Sequence, residues 1–302
     1  MSEFRSGFVA VIGRPNVGKS TLINSLLGQK IAAVSPRPQT TRKRQLGILT
    51  RPDMQLVFVD TPGVHEPRHK LGEFMNQEAE ASLQAVDVIL FLVDLTSEPT
   101  DDDARLAATL RGLRHTPPII LVGNKIDLLD AGLAQKRLES CRLLIPMATD
   151  QILISATRGQ QLDQLVQLLA DLCPARPAEF EEDQVTDIYE KDIAADLVRE
   201  AALFALRDEV PHGVAVRVEE YKERENGVDY IRATMLVERD SQKAIVIGQG
   251  GKMLKQIGTA ARREIEKMTG RKAFLELRVK VEKGWRNRES VLEQLGYKFT
   301  RK

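Results

Sequence analysis

The sequence Gly-Arg-Pro-Asn-Val-Gly-Lys-Ser occupies residues 13–20, between the apolar run Phe8–Ile12 and the helix-like segment Thr21–Leu27. A strand, a glycine-rich turn and a helix start in this order predict a loop whose backbone N–H groups surround a phosphate. In such a loop Lys19 reaches phosphate oxygens and Ser20 ligates Mg²⁺. The further nucleotide contacts that this loop predicts are Gly13, Asn16, Val17, Gly18 and Thr21.

The residues around this loop alternate between β-branched runs and helical patterns from residue 8 to residue 172. This alternation predicts an α/β domain with a doubly wound, mostly parallel sheet. The run Val88–Val93 is apolar at every position, as a strand covered on both faces requires. The strands that we predict are Phe8–Ile12, Met54–Asp60, Val86–Asp94, Pro118–Asn124 and Gln151–Ile154. Because such sheets bind ligands at the carboxyl ends of their strands, motifs at those ends are expected to form one site.

Two motifs follow the predicted strands at the spacing of a guanine-nucleotide site. Residues 60–63 read Asp-Thr-Pro-Gly, in which Asp60 would hold Mg²⁺ and Gly63 would turn its N–H toward a γ-phosphate. Residues 124–127 read Asn-Lys-Ile-Asp. Asp127 can accept hydrogen bonds from guanine N1–H and N2–H, which adenine lacks, so the motif predicts GTP and GDP as ligands.

The other residues of the base site have supporting roles. Asn124 would connect the base loop to the phosphate loop, and Lys125 would pack its stem over the base. Residues 155–156 read Ser-Ala, and we expect Ser155-Ala156 to offer a backbone N–H to guanine O6.

The C-terminal part of the chain is basic. Residues 239–302 hold 17 Lys/Arg against 7 Asp/Glu, a net charge of +10, whereas the remaining residues hold 27 against 36, a net charge of −9. A local excess of this kind indicates a polyanion partner or a solvated lysine-rich face. Residues 246–252 read Val-Ile-Gly-Gln-Gly-Gly-Lys, and KH domains clamp four single-stranded nucleotides on such a Gly-x-x-Gly turn. The RNA contacts that we predict are Lys243, Ile247, Gly248, Gln249, Gly250, Gly251, Lys252, Lys255, Arg286 and Arg288.

The elements around this turn form a second, smaller α+β domain. We predict a helix over 190–208 with its apolar face at Ile193, Leu197, Ala201 and Phe204, and the order helix–strand–strand–helix–helix–strand. The predicted strands are Val214–Tyr221, Tyr230–Val237 and Ala273–Val281, and a closing helix is predicted over Trp285–Tyr297. Trp285 either stacks on a base or closes the core. The domain boundaries that we predict are 1–174 for the nucleotide domain, 175–190 for a linker, and 191–302 for the RNA-binding domain with its tail.

Residues 8–172 resemble the Ras-like, translation-factor class of GTPases. Together with Gln-Thr-Thr-Arg at residues 39–42 and the basic tail, the chain resembles the Era family of bacterial ribosome-assembly GTPases from Gly7 to Tyr297. The resemblance implies a type II KH domain, GTP hydrolysis with Mg²⁺, and binding of single-stranded small-subunit ribosomal RNA during 30S assembly. It also implies a cytoplasmic monomer and favours Thr41 over Thr40 as the switch threonine that ligates Mg²⁺.

The chain departs from the Ras pattern next to the catalytic centre. Val64 follows Gly63 at the position where many GTPases have a glutamine that orients the attacking water, so slow hydrolysis is expected. His65 is the next side chain along the sequence that could orient this water. Asn16 either caps its turn or helps to bind K⁺ beside the phosphates, as in potassium-dependent relatives. The catalytic residues that we predict are Lys19, Thr41, Gly63 and Asn16.

Two other functions are compatible with parts of the sequence. A membrane-associated cell-cycle GTPase could use the basic tail on anionic lipids, which would add a peripheral contact with the cytoplasmic face of the inner membrane. An RNA-modifying enzyme would need a further catalytic constellation, but the four histidines are scattered. Cys141 and Cys173 form neither a disulfide framework nor a metal-binding pattern. Met1–Ser6 has no signal-peptide pattern, so a cytoplasmic location is expected.

Overall fold

The structure is a computed structural model that describes residues 3–35, 37, 40–62, 69–83, 86–113, 115–224 and 227–297. Its contacts divide the chain into two compact units. The first comprises Met1–Ala32, Thr41–Glu66 and Met75–Asp187, and the second comprises Ala33–Thr40, Pro67–Phe74 and Ile188–Lys302. The boundaries predicted at residues 174 and 190 stay a prediction.

Six strands and five helices are described before residue 188. In chain order they are β1 (Arg5–Ile12), α1 (Lys19–Leu27), β2 (Gln45–Arg51), β3 (Met54–Asp60), α2 (Lys70–Ala81), β4 (Val88–Asp94), α3 (Asp101–Arg111), β5 (Ile119–Asn124), α4 (Ala131–Leu144), β6 (Asp150–Leu153) and α5 (Leu162–Leu172). The sheet order is β2-β3-β1-β4-β5-β6, and every pairing is parallel except that of β2 with β3. The predicted doubly wound, mostly parallel fold is therefore confirmed.

Strand β4 shows why this sheet is covered on both faces. Its residues Val88, Leu90 and Leu92 belong to one hydrophobic core, and the alternate residues between them belong to another. Because side chains alternate across a strand, an uninterrupted apolar run fills both cores at once. The apolar runs give way to polar residues at the carboxyl ends of the strands, where Asp60, Asp94 and Asn124 stand.

Strand β2 was missed in the sequence-based prediction. It pairs antiparallel with β3 at the edge of the sheet and contains Gly47, a residue that usually weakens a strand. A Cβ at Gly47 would lie 2.8 Å from the side chain of Ile23, so the close approach of helix α1 requires glycine here. Packing of α1 on the sheet therefore overrides the low strand propensity of glycine at position 47.

The segment predicted as a linker is in contact with the first unit. Ala175 forms an antiparallel bridge with Arg5, and Thr186 forms one with Gly47. The N–H of Ile48 donates to the carbonyl of Val185 at 2.9 Å. The contacts with Gly47 and Ile48 fill backbone positions that the edge strand β2 would otherwise expose.

The second unit contains a three-stranded sheet. Its elements are α6 (Glu190–Ala205), β7 (Ala215–Lys222), β8 (Val228–Val237), α7 (Asp240–Ile247), α8 (Lys252–Thr269), β9 (Lys272–Val281) and α9 (Glu289–Gln294). Strand β8 lies in the middle, antiparallel to β7 and parallel to β9. The predicted element order is present. The prediction for Phe204 was wrong, because its side chain is exposed near the end of α6.

Trp285 is fully buried in the second unit, and its indole N–H donates to the carbonyl of Gly213 at 2.9 Å. A buried indole usually needs such a partner. The core role predicted as one of two alternatives is therefore correct, and base stacking by Trp285 is excluded.

Candidate nucleotide and RNA sites

The phosphate loop follows β1 and is shaped by two glycines. A Cβ at Gly13 would lie 2.3 Å from the carbonyl oxygen of Leu92, and one at Gly18 would lie 2.4 Å from Nδ2 of Asn124. Gly18 also has a φ of 106°, which L side chains rarely adopt. The loop can therefore approach both the neighbouring strand and the base loop only with glycine at these positions.

Lys19 lies within this loop. Its Nζ donates to the carbonyl oxygens of Gly13 at 2.8 Å and Arg14 at 3.1 Å. Burial lowers the pKa of Lys19 to about 8, although the nearby Asp60 carboxylate opposes the shift. A buried ammonium in a ring of backbone groups is a site to which an anion is attracted strongly.

Three oxygen-bearing side chains meet beside the loop. The Ser20 hydroxyl lies 2.9 Å from that of Thr41 and donates to Oδ2 of Asp60 at 2.9 Å, while Thr41 donates to the same oxygen at 3.1 Å. Asp60 is completely buried, and this burial raises the pKa of its carboxyl despite the attraction of Lys19. Its Oδ1 has no hydrogen-bond partner among the described residues. Hard oxygen donors with one unsatisfied buried oxygen fit Mg²⁺.

Thr40 has different partners. Its hydroxyl lies 2.7 Å from the hydroxyl of Ser35 and donates to the carbonyl of Arg37 at 2.7 Å. Of the two threonines, it is thus Thr41 whose hydroxyl reaches Ser20 and Asp60.

Asn124 links the phosphate loop to the base loop, as predicted. Its amide donates to the carbonyl of Val17 at 2.8 Å and accepts from the N–H of Ala156 at 3.0 Å. A guanine O6 would have to share the Ala156 N–H with the side-chain oxygen of Asn124. The neighbouring Ser155 donates its hydroxyl to Asp127 at 2.6 Å, which fixes the carboxylate while leaving it exposed to a ligand.

An ion network next to the base loop was not predicted. Lys125, with a left-handed φ of 70°, places its Nζ 2.6 Å from Oδ2 of Asp94 at the end of β4. Arg14 of the phosphate loop lies 3.9 Å from the same carboxylate and 3.2 Å from that of Asp103. Hydrogen bonds from Lys125 and Thr96 hold the pKa of Asp94 below its usual value, although burial acts against them. Asp94 is therefore an anchor for cations from both halves of the site.

The remaining predicted nucleotide residues are placed as follows. Val17 is buried, Thr21 is half-buried in the first turn of α1, and Asn16 is exposed with a left-handed φ of 67°. Gly63, Val64 and His65 lie outside the described residues.

The Gly-x-x-Gly turn joins α7 to α8 in the second unit. Gly248, Gly250 and Gly251 have φ values of 69°, 60° and 77°, and a Cβ at Gly248 would lie 2.7 Å from the Cβ of Met253. The turn therefore requires glycines and leaves its backbone accessible. Around it, Gln249, Lys252 and Lys255 are exposed or half-buried, as are Lys243 and Ile247.

Two predicted RNA contacts have acidic partners inside the unit. Arg286 pairs with Glu238, and Arg288 contacts Glu282 at 2.5 Å. The sequence pattern overlooked these carboxylates because they stand on other elements. Both arginines would have to share or exchange a partner to bind phosphate.

These two sites define a P-loop GTPase domain joined to a KH-type RNA-binding domain. The family model described as "50S ribosome-binding GTPase" matches residues 8–125, and the KH domain model matches residues 209–286. The GTPase Era of Halothermothrix orenii is 47% identical over 298 residues, covering 98% of this chain and 99% of that protein. The GTPase Era of Lacticaseibacillus paracasei is 48% identical over 298 residues, covering 98% of each. The chain belongs to the Era family of GTPases.

Solved structures agree with this assignment. A crystal structure of Era with MgGDPNP and nucleotides 1506–1542 of 16S ribosomal RNA matches with a TM-score of 0.92 and 38% identity, covering 98% of this chain and 100% of that one. A point variant of Aquifex aeolicus Era bound to GDP·AlF₄⁻ matches with the same TM-score, identity and coverage. The first family description names the large subunit, whereas the crystal structure with RNA holds a small-subunit segment. Among the described residues, every helix is too short or too polar to span a lipid bilayer.

Proposed function

We propose that this chain is a GTP-controlled RNA-binding switch that acts on the small-subunit ribosomal RNA during 30S assembly. The observation that carries the switch is the cluster of Ser20, Thr41 and Asp60, because Thr41 belongs to a segment separate from the phosphate loop. A ligand that engages this cluster would hold that segment in place, and its loss would release it. The Era crystal structure with MgGDPNP and 16S ribosomal RNA supports both ligands.

In the nucleotide site, Mg²⁺ would be held by Ser20, Thr41 and Asp60 and would supply positive charge at the phosphates. Lys19 would add its ammonium, and Asp127 would select guanine with its carboxylate. The test is Asp127→Asn, which exchanges an acceptor for an amide donor. We expect GTP affinity to fall at least about 100-fold and XTP affinity to rise, because xanthine offers an acceptor at C2. An unchanged preference for GTP would remove Asp127 from this role.

Hydrolysis is proposed to be slow, because Val64 cannot orient water through a hydrogen bond. Asn16 is proposed as a K⁺ ligand, and its exposure on the phosphate loop supports this role. Turnover measured in KCl and in NaCl tests the K⁺ site, with Asn16→Ala as the variant. Equal rates in the two salts would eliminate it.

RNA binding is proposed for the turn Gly248–Gly251 with Lys243, Ile247, Lys252 and Lys255. Gly251→Asp tests it more cleanly than Gly248→Asp, since a Cβ at Gly251 meets no atom within 4 Å. The matched control is Gly270→Asp, which has a φ of 68° and equally open space in the same unit. The two variants then have similar backbone strain and differ in where the new negative charge lies.

We expect Gly251→Asp to weaken binding of 16S nucleotides 1506–1542 about tenfold or more through repulsion of phosphate, and Gly270→Asp to bind as the parent does. GTP hydrolysis without RNA should be the same in all three proteins. Equal RNA affinity of the two variants would contradict the assignment. A cytoplasmic location is proposed because the proposed partner is ribosomal RNA. Competition between RNA and vesicles of anionic phospholipid tests the alternative of a membrane-associated GTPase.

A further inference from the structure

The sheet of the second unit has one face turned away from its helices. Ile231, Met235 and Val237 of β8 lie in the core shared with those helices. The residues between them point to the opposite side, because side chains alternate along a strand. We call this side the outer sheet face, and its members used below are Lys222, Arg224, Tyr230, Phe274, Arg278 and Lys280.

An ordered aromatic pair lies on the outer sheet face. Tyr230 and Phe274 are register partners on β8 and β9, with ring centroids 6.0 Å apart and an interplanar angle of 12°. The guanidinium of Arg224 lies 4.5 Å from the Tyr230 ring centroid, and the Tyr230 hydroxyl donates to Glu276 at 2.8 Å. Tyr230 is thus held by three groups, and it supports a Phe274 side chain that remains 56% exposed.

Charges on the outer sheet face are arranged in two levels. Arg278, Lys280 and Lys222 expose 60%, 63% and 68% of their side chains, whereas the carboxylates paired with them expose only 34%, 20% and 22%. The carboxylates therefore lie closer to the sheet than the cations do. A polyanion above the sheet would meet positive charge first, so the face complements a phosphate backbone.

We propose that the outer sheet face is a second contact surface for single-stranded RNA, with a base stacked on Phe274 and phosphates on Arg278 and Lys280. Single-stranded RNA matches this face because each nucleotide brings both a flat base and a phosphate. An acidic protein segment would match the charges but not the flat ring. The proposal rests on the proposed function, and it adds strands β8 and β9 to the contact made by the Gly248–Gly251 turn.

The experiment compares variants of the full chain in titrations with 16S nucleotides 1506–1542. Phe274→Leu removes the π face and keeps an apolar side chain, so the sheet is expected to fold. Phe204→Leu is the matched control, since Phe204 is 58% exposed on α6 in the same unit. We expect Phe274→Leu to weaken binding at least about fivefold and Phe274→Trp to retain it. Arg278→Ala should reduce the slope of log affinity against log salt by about 0.7.

The possible results separate this inference from the proposed function. If Phe274→Leu binds the RNA as the parent does while Gly251→Asp does not, the outer sheet face is not an RNA contact and the KH turn remains one. If neither variant is impaired, both assignments are wrong. An equal loss in Phe204→Leu would indicate general damage and overturn the inference. A change in Phe274→Leu that is confined to self-association in sedimentation would overturn it as well, since a second copy would then occupy the face.

Discussion

Replacing Asp94 with asparagine should loosen the guanine site although Asp94 is not in any recognised motif. Oδ1 of Asp94 accepts from the N–H and hydroxyl of Thr96 at 2.9 and 2.6 Å, and Oδ2 accepts from Lys125 at 2.6 Å. An asparagine has only one oxygen. If that oxygen keeps both Thr96 bonds, the new NH₂ group faces the Lys125 ammonium, and two donors oppose each other.

The size of the effect follows from these contacts. A hydrogen bond to a charged group contributes about 1.5–3 kcal/mol. Lys125 is 30% exposed, so water can replace part of the lost bond and the lower end applies. If the free energy that holds Lys125 in its anchored position falls by about 1.5 kcal/mol, the affinity for GDP is expected to become about tenfold weaker.

Calorimetric titration with GDP measures this change, and Asp87→Asn is its control. Asp87 stands before the same strand, with its carboxylate 2.8 Å from the N–H of Phe8 and 2.6 Å from Arg176. Its variant should lower the free energy of unfolding and leave GDP affinity unchanged. The reasoning fails if Asp94→Asn binds GDP as tightly as the parent, or more tightly, because Lys125 would then have to leave Asp94 to reach the base. Equal losses in both variants would also refute it.

Three further predictions concern buried groups. Asn124→Ala removes the hydrogen bonds to two backbone partners. In urea titrations without nucleotide, the free energy of unfolding of the first unit should therefore fall by about 2–3 kcal/mol. No loss would mean that the link between the phosphate loop and the base loop is not structural. Trp285→Phe leaves the Gly213 carbonyl without its donor and should cost about 1–2 kcal/mol in thermal unfolding while RNA affinity stays constant. Burial raises the pKa of the Cys173 thiol to about 11 and of Cys141 to about 12, so neither should react with a disulfide reagent at pH 8 before unfolding.

The nucleotide site could be predicted because its chemistry depends on short, fixed spacings. Gly18 and Lys19 act through one loop, and Asn124 must follow a strand end to reach that loop. Such constraints are local, so the sequence contains them directly. The same holds for the glycines of the KH turn, whose left-handed backbone leaves little choice of residue.

Other features depend on partners that are distant in sequence. Gly47 is acceptable in β2 only because α1 packs against it, and Arg286 is paired because Glu238 stands at the end of another strand. Phe204 fits the helical period of its segment, but the core contacts at this end of α6 are made by its neighbours Ala202 and Leu206, and Phe204 itself stays exposed. In each case the tertiary contact, which the local pattern does not contain, decides the outcome.

Asp60 and Asp94 show this limit most directly, because both end a strand after a hydrophobic residue and a valine. Asp60 is completely buried among hydroxyls, keeps an oxygen without a partner among the described residues, and has a raised pKa because burial dominates. Asp94 contacts Lys125 and Thr96, and its pKa is lowered despite burial. Strand ends with similar preceding residues thus have opposite electrostatics: one carboxylate is suited to receive a cation from solution, and the other is already satisfied by the cations of the chain. The hydrogen-bond partners account for this difference, because hydroxyl groups of Ser20 and Thr41 meet Asp60 whereas the ammonium of Lys125 meets Asp94.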